Sequence, residues 1–108
     1  MTPPELIEAQ AAVKAIHAAP PLLDYLQALI AATRSGQWFV EGLSPRAGLA
    51  VLRASRARAL LQGRDYVSPD DVQAILPQTI AHRLVPVGDA GRGAQEQVEA
   101  MVRAVPLP

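Results

Sequence analysis

Five arginines and no acid fall between Ser44 and Arg64, in a chain with ten basic and ten acidic residues. They are Arg46, Arg53, Arg56, Arg58 and Arg64. Arg46 stands apart by position. It follows Ser44 and Pro45, which read as an N-cap and the first position of a helix. Cations ordinarily favour the other end, because a helix start already carries partial positive charge. A guanidinium there is either solvated like any other or faces a strongly negative group. The chemistry on offer is anion binding, with N–H donors and dipole from the helix start and a planar fork suited to phosphate from Arg46. On the residues alone the plainer alternative stays open: solvated guanidiniums whose stems cover apolar neighbours.

Other chemistry is sparse. Without cysteine there is no thiolate nucleophile, disulfide framework or cysteine zinc site. The sequence has no phosphate-cradling glycine-rich loop, no nucleophile elbow and no paired-histidine metal motif. His17 and His82 are far apart and read as surface or helix-end histidines. Asp70 and Asp71 follow Ser68-Pro69, so they read as acids placed where a helix dipole favours them rather than as a metal pair. No metal ligand set results, and the chain by itself is not expected to be an enzyme.

The elements that must position these residues are helical. Alanine and leucine dominate, aromatics are 4% of the chain, and β-branched runs are absent, which favours helix over sheet. A length of 108 residues makes one small domain, spanning 1–108, with a modest core. The net charge of zero gives no global field toward nucleic acid or membrane. The N-terminus lacks a signal-peptide pattern, and no apolar run reaches membrane-spanning length, so the expected address is cytoplasmic.

Prolines and glycines mark the boundaries. Thr2-Pro3-Pro4-Glu5 opens a helix running to about Val13 or Ala18, with a stripe of Leu6, Ala9, Val13 and Ile16 or His17. Pro20-Pro21 begins a second, carrying Leu22, Leu26, Leu29, Ile30 and Thr33 at three–four spacing. Ser35-Gly36 stops it, and residues 37–43 form a loop or short extended piece. The central helix is expected over about 45–62, with Gly63 as its stop. Its apolar residues surround nearly the whole barrel, which predicts packing on several sides. On that barrel Arg46, Arg53 and Arg56 share roughly a quarter-turn sector, and Arg58 points elsewhere. Ser68-Pro69 starts a helix that meets Pro77 and restarts as residues 78–84. Residues 85–93 read as a flexible connection. A last amphipathic helix uses Val98, Met101, Val102 and Val105. The expected fold is all-α, a bundle of five or six helices.

Taken together, several spaced motifs resemble the C-terminal lid of MoxR-type AAA+ ATPases. They are Gly42, Ser44-Pro45-Arg46-Ala47, Gly63-Arg64-Asp65-Tyr66-Val67, Pro69-Asp70-Asp71-Val72 and His82-Arg83, preceded by Asp24-Tyr25 and Thr33-Arg34. The resemblance covers nearly the whole chain. It implies a lid separated from a larger ATPase whose α/β P-loop core is absent here. It also implies that Arg46 matches the sensor-2 arginine that reaches nucleotide phosphates, with Ser44 and Pro45 fixing the helix start. The implied cofactor is ATP with Mg in the full-length protein, with none expected to bind this chain tightly. Implied partners are the core domain, neighbouring subunits of a ring expected to be a hexamer, and a von Willebrand A-type protein, in a chaperone or assembly role. Neither nucleic acid nor membrane is among them.

Two other readings compete. The Pro45–Gln62 helix followed by "RDYVSPDDVQAIL" is similar to a histone-fold dimerisation unit, though short for it. A helix-turn-helix DNA-binding module needs an exposed recognition helix, while the best-formed helix here is apolar all round. Trp38 and Phe39 have two roles open to them: plugging the bundle, or docking on another domain or subunit.

Overall fold

The computed structural model of the chain describes residues 2–87 and 93–107, apart from the side chains of Ala9, Gln10 and His82. The assignment of the His82 side chain, the place of Ala9 in the first stripe and residues 88–92 of the expected flexible connection therefore lie outside the described residues. Five α-helices follow in order among the described residues: α1 (Pro3–Lys14), α2 (Pro20–Thr33), α3 (Ala47–Leu61), α4 (Pro69–Ile80) and α5 (Ala94–Ala104). A 3₁₀ turn, Ala81–Arg83, extends α4. The all-α bundle read from the sequence is the fold.

α1 begins with a reciprocal capping box in which the Thr2 hydroxyl accepts from the Glu5 N–H and the Glu5 carboxylate accepts from the Thr2 N–H. The apolar stripe assigned to it is not buried, however. Leu6 is 48% exposed, and only Ile16, beyond the helix end, joins the core. Among the helices α1 rests on α3 alone, so one side of it has a neighbour and the rest faces solvent.

α2 buries every apolar position assigned to it, together with Tyr25. Gly36, at φ +81°, lets the chain leave its C-terminus in the left-handed conformation that a side chain would strain. In the loop that follows, Phe39 is fully buried. Val40 N–H donates to Val85 C=O at 2.9 Å and Val87 N–H donates to Trp38 C=O at 3.0 Å, an antiparallel bridge between two extended pieces. Phe39 thus plugs the bundle, and Trp38 packs partly buried against the same core.

α3 departs from expectation. It contacts α1, α2 and α4, yet it buries only the seam Val51, Ser55 and Ala59. Leu49 is 63% exposed and Leu61 86%. Its apolar circumference therefore does not make it a helix enclosed on all sides. The small residues of the seam admit α4 closely, and the Ser55 hydroxyl turns back to Val51 C=O at 2.8 Å.

α4 also differs from the expected break, because it runs unbroken through Pro77. The proline lacks the N–H that would bond one turn back, at a cost of about 3 kcal/mol in a helix interior. Pro77 is itself buried, as are Val72, Leu76 and Ile80 on the same helix. Burial of a large apolar side chain contributes about 1.5–3 kcal/mol, so the packed face outweighs one lost bond. α5 buries Val98 and Met101, with Val102 and Val105 packed at the margin.

Candidate functional site

The approach to Arg46 is built by the end of α2. At Gly42 an added Cβ would lie 2.3 Å from Arg34 Cγ and 2.4 Å from Arg34 Cα, so the backbone passes where only glycine fits. Leu43 is buried one residue later, and its N–H donates to the Thr33 hydroxyl at 3.0 Å. That hydroxyl donates in turn to Ile30 C=O at 2.6 Å. Thr33 therefore bolts the incoming loop to α2.

Ser44, Pro45 and Arg46 then form one tight turn. Ala47 N–H donates to Ser44 C=O, Gly48 N–H to Pro45 C=O and Leu49 N–H to Arg46 C=O, all at 3.0–3.1 Å. These are 3₁₀-type bonds, and regular α-helix starts at Ala47 rather than Pro45. Arg46 is the flanking residue, already in helical conformation at φ −63° and ψ −31°, and no side chain caps this end. Two expectations change here. Ser44 closes the turn through its carbonyl rather than its hydroxyl, and the N–H groups of residues 47–49 are spent inside the turn. An anion at this end would meet the Arg46 guanidinium and the dipole, not those N–H groups. Ser44, Pro45 and Arg46 are all exposed, and no carboxylate among the described residues pairs with Arg46.

Beside this turn lies an apolar groove of about 360 Å³. Leu23, Leu26 and Ile30 of α2 form one wall, and Pro45, Leu49 and Leu52 form the other. Pro45 belongs to both features, so the site combines an exposed cation with an adjoining apolar trough.

The five-arginine run divides in two. Arg58 donates to Asp71 Oδ1 at 2.7 Å and Arg64 donates to the same oxygen at 2.5 Å. The other oxygen, Oδ2, accepts from Ser68 N–H at 2.8 Å and from the Ser68 hydroxyl at 3.1 Å. Asp71 is fully buried. Burial pushes its carboxyl up, but the Ser68 backbone bond, then Arg64 and Arg58, outweigh that and hold it below the usual carboxylate range. Asp71 is thus a helix-start acid, as its position after Ser68-Pro69 says, and also the counter-ion of two of the five arginines. Arg64 gets there because α3 ends in a Schellman turn, with Gly63 at φ +77° and Arg64 N–H bonded back to Ala59 C=O at 3.0 Å. Its guanidinium also lies 5.6 Å from the centre of the Tyr66 ring.

His17 is exposed, and its backbone pairs with Asp65 C=O and Val67 N–H at 2.8 Å, tying α1 to the loop before α4. Among the described residues no group of three or more His, Cys, Asp or Glu side chains gathers as metal ligands. No helix of the described residues is long and apolar enough to cross a membrane.

A family model described as the AAA lid domain matches residues 31–105. The chain is 41% identical over 78 residues to chaperone MoxR1 of Mycobacterium tuberculosis, which covers 64% of the chain and 21% of MoxR1. To the uncharacterized protein YeaC of Bacillus subtilis it is 34% identical over 107 residues, 96% of the chain and 33% of YeaC. It therefore spans a third or less of the length of these relatives. A structure described as that of a candidate ATPase from Cytophaga hutchinsonii superposes with a TM-score of 0.81 at 24% identity, over 91% of the chain and 33% of that protein. That likeness shows the shared fold.

Proposed function

The chain belongs to the AAA lid domain family, and with MoxR1 among its relatives we propose that it is the C-terminal helical lid of a MoxR-type AAA+ ATPase, closing over ATP held by a separate P-loop core. The observation that carries the reading is Arg46, exposed, without a carboxylate partner among the described residues, and fixed at the first turn of α3 beside an apolar trough. These residues fit a nucleotide. A guanidinium fork matches phosphate oxygens, and an apolar wall suits the less polar part of a nucleotide or the face of the core that surrounds it.

In this reading Arg46 is the sensor-2 arginine. ATP with Mg supplies the triphosphate charge, and the metal ligands lie on the core. This chain's part is to hold the cation in place: Gly42 and Thr33 fix the loop, the 44–46 turn aims the backbone, and the bundle carries the assembly as one body. Loss of phosphate charge removes the attraction that keeps the lid closed, so the lid reports hydrolysis by moving. The chain alone supplies no catalysis. A ring of subunits, expected to be hexameric, a von Willebrand A-type partner, a chaperone-like role and a cytoplasmic setting belong to the same proposal.

The histone-like and helix-turn-helix readings are less well supported. α3 is 15 residues long and lies against α1, α2 and α4 of its own chain. The test is Arg46→Ala in the full-length subunit, followed by steady-state ATP hydrolysis and thermal unfolding. Turnover is expected to drop on the order of tenfold or more, with the unfolding temperature unchanged. Wild-type turnover would remove the assigned role.

A further inference from the structure

The trough beside the 44–46 turn has a single polar side chain. Among the described residues that line it none is charged, and Gln27 alone is polar. Gln27 is exposed, and no described residue bonds to its carboxamide. A carboxamide presents an acceptor and a donor side by side. That pair matches an amino group next to a ring nitrogen, as on the edge of adenine.

Gln27 also stands at a definite place along the trough. The end of α2 adjoins the start of α3, since Thr33 holds Leu43 and an added Cβ on Gly48 would lie 3.6 Å from Ile30 Cγ1. Gln27 is about 4.5 Å, nearly one turn, back along α2 from Ile30. Arg46 lies just before Gly48, on the other side of that contact. The cation is thus at the turn, and the carboxamide is farther along an apolar wall that includes Leu26 and the 63% exposed Leu49.

A nucleotide has the same layout. Its charge is all at the phosphate end, and its base is flat and neutral, with donors and acceptors along one edge. The trough, at about 360 Å³, falls within the ~300–1,000 Å³ of small-molecule clefts. An apolar side chain from another domain could fill the trough too, but it would leave the carboxamide unused.

We propose that Gln27 is a specificity-determining residue that reads the base of the nucleotide whose phosphates meet Arg46. Its carbonyl oxygen accepts from the 6-amino group of adenine, and its amide donates to the neighbouring ring nitrogen. The proposal rests on the Arg46 reading above, and adds to it the residue that selects the base.

The test uses the full-length subunit with Mg. Dissociation constants are measured for ATP and for purine riboside triphosphate, which has hydrogen in place of the 6-amino group, in wild type and in Gln27→Leu. Wild type should prefer ATP by about fivefold to tenfold, and the preference should fall to within about twofold in the variant. Arg46→Ala should weaken both triphosphates alike and leave the preference intact. A preference that survives in Gln27→Leu overturns the proposal, and the Arg46 reading still stands if Arg46→Ala collapses the ATP-to-ADP ratio. An equal loss for both triphosphates in Gln27→Leu, or no preference in wild type, also overturns it. Failure of the Arg46 reading is seen in a different ligand pair, as an ATP-to-ADP ratio that Arg46→Ala does not move.

Discussion

Replacing Asp71 by asparagine keeps the shape of the α4 start and deletes one charge. In the native chain that fully buried carboxylate receives bonds from Arg58, Arg64, the Ser68 N–H and the Ser68 hydroxyl. Breaking a wholly buried ion pair costs about 3–5 kcal/mol. Here that is an upper bound, because the Arg58 and Arg64 side chains remain 33% and 24% exposed and can be rehydrated. The asparagine amide must also point two N–H donors at partners that are donors themselves. A loss of about 2–3 kcal/mol follows, and for a domain near this size each kcal/mol moves the melting temperature by about 4–8 °C. Thermal unfolding followed by circular dichroism near neutral pH should show a drop of about 10–20 °C. The pH dependence has a definite sign. Because the folded carboxyl titrates below its unfolded value, its contribution is fully present above about pH 4 and is lost as pH falls through the lower, folded value. The gap between wild type and Asp71→Asn should therefore be constant above about pH 5 and narrow below about pH 4. A neutral-pH drop under about 2 °C, or a gap that does not narrow in acid, would refute the reasoning.

Three further substitutions test the frame around Arg46 and α4. Gly42→Ala places a methyl 2.3 Å from Arg34 Cγ and should cost about 1–3 kcal/mol in denaturant unfolding, through displacement of the loop against α2. Thr33→Val leaves the buried Leu43 N–H without its acceptor and should cost about 1–3 kcal/mol, with faster hydrogen exchange at Leu43. Pro77→Ala regains a helix bond worth about 3 kcal/mol on the propensity scale and loses about two buried methylenes, so a net gain of about 1 kcal/mol is expected in the same unfolding experiment.

Much of this fold is written in local punctuation. Thr2, Pro3 and Glu5 announce α1, Pro20-Pro21 announces α2, and Ser68-Pro69 announces α4, because a cap and a proline act within one turn. What the sequence hides depends on partners distant along the chain. Pro77 looks like a break, since the burial that overrides it comes from neighbouring helices. The circumference of α3 looks enclosed, yet burial follows where α1, α2 and α4 lie and not how many leucines the helix has. The arginine run looks uniformly unpaired because its counter-ion, Asp71, is seven residues beyond Arg64 and reaches it only after the Gly63 turn. The hint was present in a Ser68-x-x-Asp71 box facing a Gly-Arg exit, and it accounts for Arg58 and Arg64. For Arg46 the structure revises the donors that its position suggested: the first N–H groups of α3 are spent within the turn, so the proposed phosphate contact rests on the guanidinium and the helix dipole.

The claim that Arg46 faces nucleotide phosphate is tested most directly by comparing ATP and ADP affinities of the full-length subunit with those of its Arg46→Ala variant. A guanidinium that contacts the terminal phosphate strengthens ATP binding over ADP binding, so the ratio of the two affinities should collapse toward unity in the variant, by on the order of tenfold. An ATP-to-ADP ratio unchanged by the substitution would contradict the account.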